Sequence, residues 1–547
     1  MIREALAACT GEQEVDLGDG GDHADLASTI AFRLAKVRKT APARIAAGIA
    51  AELAPSLATH DITVEALGPY INFRFGQRYV AEAVREALAP GYGGLPEKQQ
   101  KVCIEHTSAN PNGPLHVGHI RNSILGDSLA RAFAKAGYPL EVQYYVNDMG
   151  RQIAIVAWGF DNLGMARNEG EKGDHYVARV YIAANRAIEA DPEIKAGIDA
   201  RMAAIEQGDP ETVRRFRTAV ELCLGGIKAT LADLHIGHDR FMWESDFVRN
   251  RHMAGVIQRI ALLPEAKNEG TLSVDLSAFG FEKEYVIRRS DGTSVYAARD
   301  LAYHEWKAGN FDVNIDVLGA DHKLIGAQLQ CTLRLLGEQP PEIVHFEFVS
   351  LPEGSMSTRA GMFVSADALI EEVTARALEE VTVRRPDLSI EERSAIARSV
   401  AVGAIRYDII RVSPEKSTVF DWKEALNFER QSAPYIQYAH ARACSILEKA
   451  GGFEPEFAFA TGEEIALAKH IALFPRVIAQ VVEERRPHLL SVYARECADL
   501  FNTFYRYNPV LKSEGATRNS RLTLVRAAQN TLKEALETLG IDALESM

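Results

Sequence analysis

The sequence predicts a multi-domain protein that combines α/β and all-α parts. Its 547 residues exceed what a single hydrophobic core usually organises. A strand–loop–helix–strand pattern lies between residues 101 and 146, which is typical of a doubly wound parallel sheet. From about residue 376 to residue 547 the apolar residues recur almost only at helical spacing, which favours a helical bundle.

The first part of the chain, residues 1 to about 95, mixes helical patterns with a short pair of strands. The strand patterns are Ile62–Leu67 and Tyr70–Phe75. This mixture predicts an N-terminal α+β domain.

The second part runs from about residue 96 to about residue 375 and opens with the strand–loop–helix–strand pattern. The apolar run 101–105 is consistent with a buried parallel strand, and a loop rich in Ser, Asn, Pro and Gly follows it. From Val117 to Phe133 apolar residues recur at helical spacing, and Gly137 ends the pattern. Leu140–Val146 then predicts a second strand.

Two histidines stand at the predicted start of this helix, in the sequence His116-Val117-Gly118-His119. A helix N-terminus presents unpaired N–H groups and a partial positive charge, which suit a phosphate. Imidazoles there can donate hydrogen bonds to phosphate oxygens as charge develops in a transition state. Gly118 has no Cβ, so a base or ribose could approach the backbone closely.

Further strand patterns at residues 313–318 and 344–351 predict the second half of a Rossmann-type sheet. Ligands in such sheets bind beyond the carboxyl ends of the strands. Between the two halves, residues 152 to about 265 show helical patterns rich in Glu, Lys, Arg and Ala, which predicts a helical insertion. The third part, about 376–547, has breaks at Pro or Gly residues: Pro386, Pro414, Gly451 and Pro509.

Composition limits the classes of function. The six cysteines are scattered and form no CxxC pair, so neither a structural metal site nor a disulfide framework is predicted, and a reducing cytoplasm fits. We see no signal-peptide pattern and no apolar run long enough to span a bilayer, so no membrane partner is expected. The formal net charge of −14 does not by itself favour nucleic-acid binding.

Phrases along the whole chain resemble the arginyl-tRNA synthetase family of the class I aminoacyl-tRNA synthetases. They are GPYINFRF, HTSANPNGPLHVGH, YYVNDMGRQ, DGTSVYAARD, GADHK, MSTRAG, APYIQYAHAR and LGIDALESM. The resemblance implies a tRNA-elbow-binding N-terminal domain, a catalytic domain and a helical anticodon-binding domain. It implies ATP-dependent ligation of L-arginine to tRNA(Arg) through arginyl-adenylate, with Mg²⁺ accompanying ATP. A cytoplasmic monomer is the family expectation.

An arginine pocket needs carboxylates, because a guanidinium is permanently charged and has five N–H donors. Tyr296 and Asp300 lie four apart in a helical pattern, so they share a face. Together with Glu105, Asn110 and Gln328 they match the positions that hold the substrate in this family. A planar fork of carboxylates would reject lysine, whose ammonium cannot satisfy it.

The resemblance also assigns residues to ATP. It implies that the turn Gly319-Ala320-Asp321-His322 touches the ribose, with Asp321 as hydrogen-bond acceptor, and that His116 and His119 contact the phosphates. The family's catalytic loop corresponds here to residues 355–359, where Met356 and Ser357 match but both lysine positions are lost. We expect Arg359 to be the principal substitute, with Lys323 or Arg121 as a possible second cation.

For tRNA, the resemblance implies contacts at two places. Asn72, Phe75 and Gln77 match the positions that meet the D-loop, since amides and aromatic rings recognise unpaired bases. In the helical domain the candidates are Tyr435, Tyr438, Arg442 and the terminal Met547. For Phe75 and for each tyrosine, a place in the core is an equally good interpretation of the residue type.

Three alternatives stay open on the sequence alone. The chain could be a class I synthetase for cysteine, glutamate or lysine, a small nucleotidyltransferase, or a non-catalytic paralogue that binds tRNA. The carboxylates and the MSTRAG phrase disfavour the first, and the helical third of the chain has no role in the second. The missing lysines are the only support for the third.

Overall fold

An antiparallel sheet with helices around it forms the N-terminal part. The structure, a computed structural model, describes residues 1–12, 14–290, 296–352, 364–429 and 431–547. The elements of this part are α1 (Ile2–Thr10), β1 (Leu26–Ser28), α2 (Ile30–Arg38), α3 (Pro42–Ala58), β2 (Ile62–Leu67), β3 (Tyr70–Phe75) and α4 (Gln77–Glu86). The strand order is β1-β3-β2. The predicted strand pair and the α+β class are confirmed.

The second part begins as predicted and then adds strands that the sequence pattern did not reveal. Its elements up to residue 290 are β4 (Val102–Glu105), α5 (Val117–Lys135), β5 (Leu140–Val146), α6 (Arg151–Asn162), α7 (Gly173–Ala190), α8 (Ile194–Glu206), α9 (Pro210–Asp233), β6 (Arg240–Trp243), α10 (Glu244–Arg249), α11 (His252–Ile260), β7 (Ala266–Glu269), β8 (Thr271–Val274) and β9 (Tyr285–Arg288). The predicted insertion is therefore not wholly helical, because β6 lies inside it and pairs with β5.

After residue 295 the chain returns to the central sheet. The elements are α12 (Tyr296–Asn310), β10 (Val313–Gly319), α13 (Lys323–Leu335), β11 (Glu342–Phe346) and β12 (Val349–Ser350). The single strand predicted at 344–351 was wrong. Only β11 joins the sheet, whereas β12 leaves it and pairs with a strand at Thr418–Val419.

The central sheet has five parallel strands in the order β11-β10-β4-β5-β6. The chain moves outward from β4 to β5 and β6, and later from β10 to β11 on the other side. The order therefore reverses between β4 and β10. In this pair Glu105 is the register partner of Asp316, so the two carboxylates leave neighbouring strands side by side.

Helices make up nearly all of the C-terminal part, as predicted. Its elements are α14 (Ala366–Arg384), α15 (Ile390–Ile410), β13 (Thr418–Val419), α16 (Trp422–Ala425), α17 (Ala433–Ala450), α18 (Gly462–Ala472), α19 (Phe474–Glu484), α20 (His488–Tyr507) and α21 (Gly515–Thr538). The boundary expected near residue 376 falls inside α14. Within the described ranges, no single helix is long and apolar enough to cross a membrane; the pair α18 and α19, bent by 41°, passes on length and composition.

A buried arginine joins the helical part to the central sheet. Arg406 of α15 is fully buried, and its guanidinium donates to the carbonyl oxygens of Leu539 (2.8 Å) and Leu234 (2.7 Å) and pairs with Asp127 of α5. Asp127 also pairs with Arg131 at 2.7 Å. The helix that begins at the two histidines is thus fixed from behind by the C-terminal part.

Replacing this arginine tests the junction. We expect Arg406→Met to lower the free energy of unfolding by about 3 kcal/mol, because two carbonyls lose their donor and a buried carboxylate loses one partner. Arg398→Met, which removes an exposed pair with Asp233, is the matched control and should cost less than about 1 kcal/mol. Urea unfolding followed by circular dichroism measures both. Equal losses in the two variants would contradict the role given to Arg406.

Candidate active site

A cavity of about 970 Å³ lies beyond the carboxyl ends of β4 and β10, where the strand order reverses. Doubly wound sheets bind ligands at such points. The predicted site residues that line it are Glu105, Asn110, His116, Gly118, His119, Gly319, Asp321 and His322. The structure therefore brings together the loop after β4, the start of α5 and the turn after β10.

The two predicted histidines form the N-terminal cap of α5. Nδ1 of His116 accepts the backbone N–H of Gly118 at 3.1 Å, and Nδ1 of His119 accepts the backbone N–H of His116 at 3.3 Å. The rings stack with their centroids 3.6 Å apart. A Cβ at residue 118 would lie 3.0 Å from the His116 ring, so glycine is what this arrangement accepts.

These capping contacts determine which nitrogen of each ring carries the proton. Because Nδ1 accepts in each case, a neutral ring carries its proton on Nε2 and can donate it. Burial lowers the pKa of His116, and burial together with the neighbouring His116 lowers the pKa of His119 to about 3. Both imidazoles are therefore neutral N–H donors near pH 7.

The loop after β4 is held in a strained conformation. Thr107 and Ser108 have φ values of 69° and 37°, a region that residues with a Cβ rarely adopt. Asn122 of α5 accepts the Thr107 backbone N–H at 2.7 Å, and the Ser108 hydroxyl donates to Glu105 Oε1 at 3.0 Å. Sequence reasoning missed Asn122, although a polar residue one turn after His119 on a buried helix was an available signal.

A compact set of buried charges lies behind Glu105. Lys307 Nζ is 2.9 Å from Glu105 Oε2 and 2.5 Å from Asp316 Oδ1. His304 contacts the Asp300 carbonyl through Nδ1 and Asp316 Oδ2 through Nε2, each at 2.7 Å. Both partners only accept, so both ring nitrogens must donate, and the ring is an imidazolium. Burial lowers the pKa of His304, but Asp316 outweighs it and the pKa is raised.

Of the other predicted arginine-binding residues, Asn110 lines the cavity, whereas Asp300, Tyr296 and Gln328 do not. Asp300 is half-buried on α12, and burial raises the pKa of its carboxyl group. Tyr296 is exposed, and Gln328 is buried with its amide donating to the Lys283 carbonyl at 3.1 Å. Asn110 is exposed and accepts from the Asn147 side chain at 3.2 Å.

The turn after β10 presents its polar groups to solvent. Asp321 and His322 are largely exposed, and their side chains lie 3.6 Å apart. A Cβ at Gly319 would lie 2.5 Å from Asp321 Oδ1, so a larger residue would displace this carboxylate. The Asp321 oxygens can therefore accept hydrogen bonds from ligand hydroxyls.

Of the residues expected to replace the missing lysines, Arg121 is ruled out by its contacts. It is fully buried and donates to the carbonyl oxygens of Phe348, Ser413 and Lys416 at 2.7–3.2 Å. It fixes the β12 region to α5 and has no access to a phosphate. Lys323 is exposed beside the cavity, with Nζ 3.2 Å from Glu347 Oε1. Three predicted residues lie outside the described ranges: Met356, Ser357 and Arg359.

The helix that follows residue 363 is tied directly to the histidine cap. The backbone N–H of Ala366 donates to the Leu115 carbonyl at 2.7 Å. In the first turn of α14, Asp367 accepts from His175 Nε2 (2.6 Å), Lys172 Nζ (2.7 Å) and the Thr230 hydroxyl (2.8 Å). The inserted helices α7 and α9 therefore hold the start of α14 against the site.

The predicted tRNA-contact residues differ in their exposure. Asn72 and Phe75 are buried, which favours the core interpretation for both, while Gln77 is exposed at the start of α4. In the helical part Tyr435 is half-buried and donates to Asp499 at 2.8 Å, and Met547 packs against the core.

Tyr438 is the exposed member of the predicted set on α17. The Arg442 guanidinium lies 4.7 Å from the centre of the Tyr438 ring and 5.6 Å from that of Tyr505. Tyr505 and Tyr507 are also exposed. An aromatic and cationic surface of this kind can stack on unpaired bases.

Comparison with protein families agrees with this arrangement. Residues 85–422 match the family described as tRNA synthetases class I (R), catalytic domain. Residues 1–75 match the arginyl tRNA synthetase N-terminal domain, and residues 436–547 match the DALR anticodon binding domain. The sheet with its capped helix is therefore the catalytic domain of a class I aminoacyl-tRNA synthetase.

Relatives over the full length specify the family further. The arginine–tRNA ligases of Methanoregula boonei and Methanosphaerula palustris are 66% and 64% identical, and the matches cover 100% of this chain and 99% of each relative. The Thermus thermophilus arginyl-tRNA synthetase structure matches with a TM-score of 0.88 and 31% identity, covering 100% of this chain and 99% of that one. The chain belongs to the arginyl-tRNA synthetase family, as the phrases in its sequence predicted.

The pKa values of His119 and His175 should be shifted in opposite directions. His119 should stay neutral to about pH 4, because its pKa is lowered to about 3. The hydrogen bond that His175 donates to the Asp367 carboxylate raises the pKa of His175. The stabilisation from that ion pair is present below about pH 6.5 and is lost as pH rises through the raised value.

Nitrogen-15 NMR of labelled histidines measures both, with His119→Gln and His175→Gln used to assign the signals. A His119 ring that protonates near pH 6 would contradict the burial argument. A His175 ring that is already neutral at pH 6 would contradict the ion pair.

Proposed function

We propose that the protein ligates L-arginine to tRNA(Arg), using ATP and forming arginyl-adenylate, with release of AMP and pyrophosphate. The names of its full-length relatives support this. The observation in the site that carries it is the position of Glu105, whose carboxylate lines the same cavity as the His116 and His119 rings. An amino acid bound beside Glu105 could thus place its own carboxylate near a bound triphosphate.

The chemistry needs positioning more than acid–base catalysis. An oxygen of the arginine carboxylate attacks the α-phosphorus of ATP, and the bond to pyrophosphate breaks. The Nε2–H groups of His116 and His119 donate to phosphate oxygens as negative charge develops, and the N-terminus of α5 adds its partial positive charge. The 2′-OH of the terminal adenosine of tRNA then attacks the acyl carbon, and AMP leaves.

We expect Mg²⁺ to arrive with ATP, held mainly by phosphate oxygens and water. Two groups of side chains in the described ranges have a spacing that could suit a metal: Glu105, His304 and Asp316, and Asp174, His175 and Asp367. Each group already contacts a lysine ammonium, Lys307 in the first and Lys172 in the second. Neither therefore offers a site to a resident cation.

The exposed set Tyr438, Arg442 and Tyr505 supports an anticodon contact in the helical part, and Gln77 supports an elbow contact in the N-terminal part. Their exposure and residue types favour stacking and hydrogen bonding to unpaired bases. A cytoplasmic location and a monomeric state complete the proposal, since both are expected of the family.

Charging of tRNA with labelled arginine is the direct test, and His119 offers a matched pair of variants. His119→Asn keeps an acceptor for the His116 N–H but loses the donor at Nε2, so its kcat should fall by about 100-fold or more. His119→Gln can place an amide N–H near the Nε2 position and should lose far less.

KM for arginine should change by less than about threefold in both variants. If the folded wild-type protein charges no tRNA, the catalytic proposal fails and the non-catalytic paralogue is the better account. Equal kcat values in the Asn and Gln variants would contradict the role of His119 as a hydrogen-bond donor but not the proposed reaction.

The cation that replaces the missing lysines is the second test. Leu351 and Val364 line the cavity, and the family resemblance assigns Arg359 to the catalytic loop. We expect Arg359→Ala to slow tRNA-dependent pyrophosphate exchange by about 10-fold or more. Lys323→Ala is the control, because Lys323 lies at the rim and contacts Glu347. An Arg359→Ala rate within about threefold of wild type would show that Arg359 is not the substitute.

A further inference from the structure

One carboxylate on the inner face of α12 has no partner. Asp300, His304 and Lys307 follow one another at helical spacing and face the sheet. Lys307 and His304 are matched by Glu105 and Asp316, so these four charges balance. Within the described ranges, the Asp300 carboxylate makes no hydrogen bond or ion pair, although it is half-buried. A partly buried acid without a cation is costly unless a ligand supplies one.

Two buried hydroxyls near this carboxylate also have no partner. The Tyr145 hydroxyl from β5 and the Tyr285 hydroxyl from β9 meet no donor or acceptor in the described part of the chain. Both tyrosines pack in the hydrophobic cluster that contains the inner face of α12, and the Tyr145 ring stacks on Tyr303 with centroids 4.7 Å apart. Burial raises the pKa of both hydroxyls, and the charge of Asp300 adds to the effect.

The chemistry of these three groups matches a guanidinium. A carboxylate can accept two of its five N–H groups, and each phenol oxygen can accept another. An ammonium has three donors on one atom and cannot reach acceptors spread around a planar group. Buried polar groups that only one ligand can satisfy are also what gives strong discrimination between substrates.

We propose that Tyr145 and Tyr285 are specificity-determining residues that bind the guanidinium of arginine together with Asp300. This rests on the proposed function. The hydroxyls contribute to ligand binding and contribute nothing to the stability of the ligand-free fold.

Tyrosine-to-phenylalanine variants test this, because each removes one oxygen and leaves the packing in place. Tyr145→Phe and Tyr285→Phe should each raise KM for arginine by about 10- to 100-fold. KM for ATP and kcat should stay within about twofold of wild type. The melting temperature of the ligand-free protein should be unchanged or higher, because an unpaired buried hydroxyl is removed.

Tyr303→Phe is the matched control from the same cluster. Its hydroxyl donates to Gln143 Oε1 at 2.7 Å, so its loss should lower the melting temperature and leave KM for arginine within about threefold. The proposal is wrong if Tyr145→Phe and Tyr285→Phe leave KM for arginine unchanged. It is also wrong if they lower the melting temperature as Tyr303→Phe is expected to do. Calorimetric titration of the same proteins with L-arginine alone decides the matter even if the wild type does not charge tRNA.

Discussion

The parallel pairing of β4 with β10 places two carboxylates side by side in a buried part of the sheet, and much of the site follows from this. Glu105 and Asp316 are register partners, and their like charges would repel in a medium that screens poorly. The Lys307 ammonium contacts both, and the His304 imidazolium holds the second oxygen of Asp316. Because both cations come from α12, the same contacts fix the rotation of that helix. Among the residues that the structure describes, Asp300 on this face has no charged partner.

The chemistry of the site is also built from interactions that fold the chain. His116 and His119 cap α5, and the hydrogen bonds that make the cap set which ring nitrogen carries the proton. The strained loop at Thr107 and Ser108 is held by side chains from the same helix. Arg406 anchors that helix from the opposite side. The residues predicted to bind substrates are therefore held by the same contacts that fold this part of the chain.

Local periodicity predicted the elements next to the site well. The bounds of β2, β3 and β5 agree with the sequence patterns, and the helix expected from Val117 is α5. The four-residue strand β6 was missed because it is too short to show an alternating pattern between helices. The break that separates β11 from β12 was missed because it depends on pairing with β13, some 70 residues later, across the interface that Arg121 stabilises.

Side-chain partners across the fold were harder to predict than backbone elements. HxGH is a local signal, and its two histidines line the cavity, whereas Tyr296 and Asp300, which were predicted from their helical spacing, do not. In the sequence Lys307 is an ordinary helix residue. Only its contacts with Glu105 of β4 and Asp316 of β10 show that it belongs to the buried charges. Phe75 and Tyr438 are both aromatic residues in plausible RNA-binding positions, and only burial separates them, with Phe75 inside the core and Tyr438 exposed.

We expect the site to recognise a cationic, planar side chain through Asp300, the carboxylate on the inner face of α12 that has no ion pair within the described ranges. Citrulline has nearly the shape of arginine but carries a neutral ureido group. It therefore separates the effect of side-chain charge on binding from the effect of side-chain shape. Charging of tRNA with labelled arginine in the presence of citrulline measures this directly. We expect no inhibition at about a hundredfold excess of citrulline over arginine, because its ureido group carries no charge. Half-maximal inhibition at equal concentrations would contradict it.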